Sequence, residues 1–344
     1  MRKQRMLHLL SSNSFSGAEN VACTIISNDG EYNMYYCCPK GPIEKALKER
    51  KIKYIPLKKL TPYNLTKVCK KYNIDIIHSH DYKASFCSAI SKYKCKRIST
   101  IHTNYNFANH WTIYSVLFSM IMKKFTKIIC VSEEILDDMI FARKNRERFI
   151  VLRNVIDSKR VIEKSKEFKT EKYDLIYVGR LTEVKRPSIV IEVTKKLVKK
   201  YPGFKTCIIG SGNLEEACKE LIKKYKLTNN VDMLGFVSNP FPYEKNSKVA
   251  ILPSIHEGLP MSVIESMILG VPVINSGVDG MKTLFLNYPE YICKSVDDYV
   301  NKISDIIEGN KEYSKKCKSI IKDAIDINNY IKTLNEIYNQ EELW

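Results

Sequence analysis

Residues 174–187 read Asp174-Leu175-Ile176-Tyr177-Val178-Gly179-Arg180-Leu181-Thr182-Glu183-Val184-Lys185-Arg186-Pro187, an apolar run that stops at a glycine and crosses a charged loop to a proline. The run Asp174–Gly179 predicts a buried strand, and Pro187 the first turn of a helix, where a missing N–H costs nothing. This unit of strand, loop and helix recurs in both directions. Downstream, Lys205–Gly210, Val231–Phe236, Val249–Pro253 and Val271–Asn275 read as further strands. Upstream, Met6–Ser12, Met34–Pro39, Lys53–Leu57, Asp75–His80, Arg97–His102, Lys127–Ser132 and Phe149–Asn154 do the same, with amphipathic stretches between them. Strands that alternate with helices of ten or more residues imply βαβ units. Near-continuous apolar strands such as Ile74–Ile77 imply parallel sheets covered on both faces.

A chain of 344 residues exceeds what one hydrophobic core usually serves. We expect an α/β protein of two Rossmann-like, doubly wound domains: the first over 1–157, a charged irregular linker over 158–172, the second over 173–325, and a closing helix over 326–344. Ligands of such sheets bind outside the carboxyl ends of the strands, so the domains are expected to face each other across a cleft. Chemistry belongs in the loops after strands.

Composition narrows the class. No window holds the roughly 18 apolar residues that span a bilayer, and Met1–Arg5 runs straight into a strand, so neither a membrane span nor a signal peptide is expected. The 11 cysteines are scattered, as free thiols of a reducing cytoplasm are. There is no CxxC pair and no HExxH, and His78 with His80 has no Cys or Glu at ligand spacing, so no metal is expected.

The net charge of +18 is uneven: residues 1–157 carry 27 Lys and Arg against 13 Asp and Glu, a net +14, which leaves 29 against 25, or +4, for the rest. A basic half fits nucleic acid, anionic lipid or a polyanionic substrate, and it equally fits lysines on solvated helix faces. Trp111–Phe125, reading WTIYSVLFSMIMKKF and followed by Lys127, has two readings: a helix buried against the sheet, or an apolar surface with a basic rim resting on an anionic membrane. Periodicity does not separate them.

Two constellations carry chemistry. Arg180 offers a planar fork and Lys185 a mobile point charge on one loop, a combination suited to a diphosphate. The second reads Pro253-Ser254-Ile255-His256-Glu257-Gly258-Leu259-Pro260-Met261-Ser262-Val263-Ile264-Glu265, again a strand end, a turn and a helix start. Free amides at Met261–Val263 would attract an anion, and a carboxylate at Glu257 beside it should face neutral hydroxyls. A hydrolytic acid/base pair is disfavoured. Eight helical residues would hold Glu257 and Glu265 roughly 12 Å apart, beyond the about 5 to 9.5 Å of glycoside hydrolysis. Gly210-Ser211-Gly212-Asn213-Leu214-Glu215 lacks the third glycine of a dinucleotide fingerprint and reads as a tight strand-to-helix turn.

Gly179-Arg180…Lys185 followed by Glu257-x7-Glu265 resembles the retaining glycosyltransferases of family 4, which have the GT-B fold. Ser16-Gly17-Ala18-Glu19, His78-Ser79-His80, Thr100-Ile101-His102, Val131-Ser132 and Arg153-Asn154-Val155-Ile156-Asp157 follow in the family's order, as do Gly210-Ser211-Gly212 and Leu234-Gly235-Phe236-Val237. The resemblance implies that Arg180 and Lys185 bind the donor diphosphate, Glu257 the donor sugar and Glu265 the ribose. Gly17 would let backbone approach the phosphates, and His102 would reach towards the sugar. Gly179, Gly210, Phe236, Gly258, Leu259 and Pro260 complete the implied donor site. Met267-Ile268-Leu269-Gly270-Val271-Pro272 and Ser276-Gly277-Val278-Asp279-Gly280 depart from the family's usual residues while keeping the strand and turn frame.

The chemistry implied needs neither metal nor cofactor, because the charge on a departing nucleoside diphosphate meets Arg180, Lys185 and a helix N-terminus. The implied partners are a nucleotide sugar, UDP-linked by preference with GDP-mannose second, and a glycan acceptor, lipid-linked, of a bacterial surface polysaccharide such as capsule, exopolysaccharide or lipopolysaccharide. Nucleic acid is not an expected partner. The expected location is cytoplasmic, with peripheral contact at the inner membrane face. The rival readings are a sugar-nucleotide epimerase of the same fold and a basic nucleic-acid-binding protein.

Overall fold

The computed structural model describes residues 2–15, 17–103, 108–143, 145–257, 261–278 and 280–340. Ser16, Gly258, Leu259, Pro260 and Asp279 of the motifs above therefore lie outside the described residues. The chain divides into two units, Met1–Val155 with Asp326–Trp344, and Ile156–Ile325.

The first unit is built on β1 (Arg5–Leu9), β2 (Asn33–Pro39), β3 (Tyr54–Leu57), β4 (Ile76–Ser79), β5 (Lys96–Ile101), β6 (Lys127–Cys130) and β7 (Phe149–Val151). All pair in parallel in the order β3-β2-β1-β4-β5-β6-β7, which reverses between β1 and β4. Alternation along β2 sends Cys37 to one face, with Leu7, Leu9, Ile77 and the helical residues Leu65 and Ala84. Tyr36 and Cys38 go to the other, with Ala22, Cys23 and Leu47. Both faces are covered, which is why residues of either parity along β1, β4 and β5 are buried. The last helix, Ile327–Asn339, returns to this unit through Tyr338, whose hydroxyl lies 2.8 Å from His78 Nδ1.

The second unit holds β8 (Tyr173–Val178), β9 (Thr206–Ile209), β10 (Val231–Gly235), β11 (Ser247–Leu252) and β12 (Val273–Asn275), all parallel in the order β10-β9-β8-β11-β12. Here the order reverses between β8 and β11. Leu175, Ile208, Val249, Ile251 and Val273 join Val190, Leu197, Ile264 and Ile303 of the covering helices in one core.

The stretch expected as a linker over 158–172 differs from that reading. Ser158–Lys164 is a helix of the second unit, capped by the Asp157 side chain accepting from Arg160 N, with Val161 and Ser165 buried one turn apart. It packs against helices Phe241–Lys245 and Met261–Ile268. Two buried residues among charged ones are too few to show a helical period, so the stretch reads as irregular.

Candidate active site

The reversal between β8 and β11 opens the carboxyl ends of two neighbouring strands, and these lead into the two constellations read from sequence. The loops are fastened to each other. Ile255 N donates to Val184 O at 2.8 Å. Lys185 Nζ lies 2.5 Å from Glu257 Oε1, and Ser254 Oγ donates to the same oxygen at 2.6 Å. A third loop joins through Ser276 Oγ on Ser254 O at 2.6 Å and Gly280 N on Glu257 O at 3.2 Å. The Lys185 and Glu257 side chains are only 17% and 6% exposed. Burying a charge is costly unless it is paired, so each ion fixes the other, and with it the loop that carries it.

Arg180 lies on the same loop, its guanidinium exposed and its carbonyl accepting from Tyr177 Oη at 2.8 Å. The path of that loop depends on two glycines of the next one. Leu181 N donates to Ser211 O and Leu214 N to Leu181 O, both at 3.0 Å, which draws the two backbones into contact. A Cβ on Gly210, whose φ is +140°, would sit 1.9 Å from Gly179 O; one on Gly212 would sit 2.2 Å from Leu181 O. The strand-to-helix turn expected at Gly210 is thus also the support of the cationic loop. Gly210→Ala is expected to destabilise the protein by about 1–3 kcal/mol through overpacking alone, with left-handed strain adding to it. Urea unfolding measures this.

Arg186 adopts φ +50°, a strained value for a side-chain-bearing residue, and turns the chain into helix Pro187–Lys200. No side chain caps that helix, so its first-turn amides and dipole add positive potential beside Lys185.

The remaining expected site residues are spread more widely. Glu265 is half-buried in helix Met261–Ile268, where its negative charge, second to burial itself, holds the carboxyl of fully buried Glu244 well above the usual range. Ser266 Oγ donates to that carboxyl at 3.0 Å. Phe236 follows the edge strand β10, two strands from β8, and is 78% exposed. Gly17 and His102 belong to the first unit, Gly17 as the exposed first residue of helix Gly17–Asn28 and His102 directly after β5.

His102 ends a chain of imidazoles that sequence reading missed. His8 sits opposite His78 across the β1 and β4 register, and His80, two residues on, points to the same side. His8 Nδ1 lies 2.9 Å from His80 Nε2, and His80 Nδ1 3.2 Å from His102 Nε2. His78 is held by Thr100 Oγ1 at 2.7 Å and Tyr338 Oη at 2.8 Å. Burial pushes His8 down to about 3 and, first among the causes, holds His78 and His80 well below the ordinary value. His102 is pushed down to about 4 by burial, which the side chain of Asn154 opposes.

Nitrogens of His8, His78 and His80 come within 4.8 Å of one another, close enough to raise the question of a metal. Their orientation suits stacking instead. The His78 and His80 rings lie 4.2 Å apart and tilted by 29°, and imidazole lone pairs lie in the ring plane, so they run side by side rather than converge on a tetrahedral centre. Both nitrogens of His78 are already engaged.

Two α/β units, each on a parallel sheet whose order reverses internally, are the GT-B architecture of sugar transferases. Residues 18–160 match the family model Glycosyltransferase Family 4 and residues 158–326 the model Glycosyl transferases group 1, and the chain belongs to this family of glycosyltransferases.

An uncharacterized glycosyltransferase of Methanocaldococcus jannaschii is 30% identical over 238 residues, 62% of this chain; the match spans 58% of that protein's length. The capsular polysaccharide biosynthesis glycosyltransferase CapH of Staphylococcus aureus is 24% identical over 80% of this chain and 81% of its own. The UDP-Gal:alpha-D-GlcNAc-diphosphoundecaprenol alpha-1,3-galactosyltransferase of Escherichia coli is 24% identical over 80% of this chain and 78% of its own. Among solved structures, HepE of Anabaena in complex with UDP superposes with a TM-score of 0.81 at 17% identity, covering 97% of this chain and 99% of that one.

Proposed function

We propose that the chain moves a hexosyl or N-acetylhexosaminyl group from a nucleotide-diphosphate sugar, UDP-linked by preference and GDP-mannose second, to a lipid-linked glycan in the assembly of a bacterial surface polysaccharide. Transfer retains the anomeric configuration and needs no metal. The carrying observation is the cationic loop after β8, clamped through Lys185 to buried Glu257 at the switch point of the sheet. The relatives lend the substrate classes: one is named for UDP-Gal and a diphosphoundecaprenol-linked acceptor, another for capsular polysaccharide.

In this reading Lys185 and Arg180 take the diphosphate, and the charge that grows on the leaving phosphate is met by groups already oriented before reaction. The bond from the anomeric carbon to the phosphate oxygen breaks as the bond to the acceptor oxygen forms on the same face, and the acceptor proton passes to the departing phosphate. Glu257 accepts from sugar hydroxyls while keeping Lys185 in place, Glu265 takes the ribose, and His102, neutral at pH 7, offers the sugar a hydrogen bond without a competing cation. Family membership favours transfer over the epimerase and nucleic-acid-binding readings.

The test is a transfer assay with UDP-hexoses, UDP-N-acetylhexosamines and GDP-mannose on a diphosphoundecaprenol-linked sugar, run in EDTA, with the product anomer read by NMR. A product of unchanged configuration is expected. An inverted product, or free epimerised nucleotide sugar, refutes the reading.

A further inference from the structure

Trp111–Phe125 is buried on one side and exposed on the other. Thr112 and Ser115 form a capping box that starts helix Ile113–Ile121, and a tight turn over Met122–Lys124 ends it. The helix is anchored on one side alone. Ser115, Phe118, Met122 and Phe125 are buried, and the Phe118 ring packs edge-on against Tyr82 at 4.8 Å and Phe86 at 5.7 Å.

On the opposite side Ile113, Val116, Leu117 and Met120 recur at i, i+3, i+4 and i+7. That is the spacing by which a helix normally buries its apolar stripe. Here the stripe faces outward: these four with Trp111 and Tyr114 are between 43% and 71% exposed. Six neighbouring large apolar side chains on one exposed face exceed the scattered hydrophobes of an ordinary surface.

The charges around this face name its occupant. Lys123 and Lys124 stand exposed at the end of the helix. Lys124 also lines an open depression of about 680 Å³, whose wall carries Lys92, Lys94 and Arg97 and no carboxylate. Arg97 spends its guanidinium on the carbonyls of Ser88, Tyr93 and Cys95, so Lys92, Lys94 and Lys124 are the cations that present ammonium groups there. An apolar stripe edged by Trp and Tyr and ending in cations is complementary to an anionic bilayer surface, where aromatic rings sit at headgroup level and lysines meet lipid phosphates. No described helix is long and apolar enough to cross a membrane, so the element would lie in the surface rather than span it.

We propose that helix Ile113–Ile121 docks in the interface of an anionic phospholipid membrane, with Trp111, Ile113, Leu117 and Met120 towards the acyl chains and Lys92, Lys94, Lys123 and Lys124 on lipid phosphates. This goes beyond the donor chemistry proposed above, whose cations Arg180 and Lys185 lie on the loop after β8. It supplies what a transferase with a lipid-linked acceptor requires.

The test is co-sedimentation of the full chain with vesicles of phosphatidylcholine and phosphatidylglycerol, against phosphatidylcholine alone. Binding is expected only with the anionic lipid and is weakened by salt. Lys123→Glu with Lys124→Glu should reduce it by about thirty-fold or more. Ile113→Asp with Met120→Asp should reduce it by at least about ten-fold. Both substituted pairs are exposed, so folding and transfer to a water-soluble acceptor should stay unchanged, which separates failure here from failure of the donor reading. Equal vesicle binding by the variants overturns the proposal. So does a solution dimer that Ile113→Asp with Met120→Asp abolishes while vesicle binding persists.

Discussion

Lys185→Ala is expected to lower the turnover of transfer by about 10²–10³-fold, the usual loss when one preorganised donor to developing charge is removed. A second consequence follows from burial. Glu257, at 6% exposure, would keep its hydrogen bond from Ser254 and lose the Lys185 ammonium. Removing one member of a buried ion pair costs about 3–5 kcal/mol, and the partial exposure of Lys185 places this case towards the lower end. The two effects separate in the double variant. Lys185→Ala with Glu257→Gln removes both charges of the pair and should recover most of the melting temperature, while affinity for UDP stays low. Glu257→Gln alone should keep UDP affinity, because UDP lacks the transferred sugar that Glu257 would hold and Gln can still accept from Lys185, and should lose transfer. If the double variant regains full UDP affinity, Lys185 is only a structural partner of Glu257.

Lowering the pH from 7 to about 5.5 is expected to cost about 4 kcal/mol of stability from three histidines alone. His8, His78 and His80 are at most 1% exposed, and burial leads the causes that keep each from taking a proton in the folded chain. In the unfolded chain each protonates as the pH falls through about 6.5. The unfolded state then binds more protons than the native one, so stability drops as pH falls below about 6.5, by about 1.3 kcal/mol per histidine over this interval. A domain's whole margin is about 5–15 kcal/mol, so acid unfolding should set in well above the carboxylate range. Urea unfolding at stepped pH reads the slope. His8→Leu should remove about a third of it whatever its effect at pH 7. An unchanged slope would show that His8 is already charged in the folded protein.

The fold lies close to the surface of the sequence because its signals are local. Each of the twelve described strands overlaps one of the runs read from the chain, with β1, β2, β5, β8 and β11 starting one or two residues earlier, and the loops carrying Arg180, Lys185 and Glu257 stand where those runs end. What escaped is what only pairing between distant segments reveals. Lys185 and Glu257 are 72 residues apart and meet because β8 and β11 are neighbours. His8 is a single histidine in an apolar strand until the register of β1 on β4 sets it beside His78. The same limit hid Glu244, which the chain presents as an ordinary helix carboxylate and the fold buries beside Ser266. The stripe at Ile113, Val116, Leu117 and Met120 has the period of a core-facing helix, and period says nothing of which side the core is on.

Calorimetric titration of the chain with UDP, GDP and ADP tests most directly whether the loop after β8 holds a nucleoside diphosphate. UDP is expected to bind most tightly and UMP more weakly. Loss of both Arg180 and Lys185 should weaken UDP by at least about a hundred-fold, at roughly 1.5–3 kcal/mol for each charge-assisted contact. Absence of binding by all three diphosphates, or UDP binding indifferent to the loss of both cations, would contradict this role of the loop.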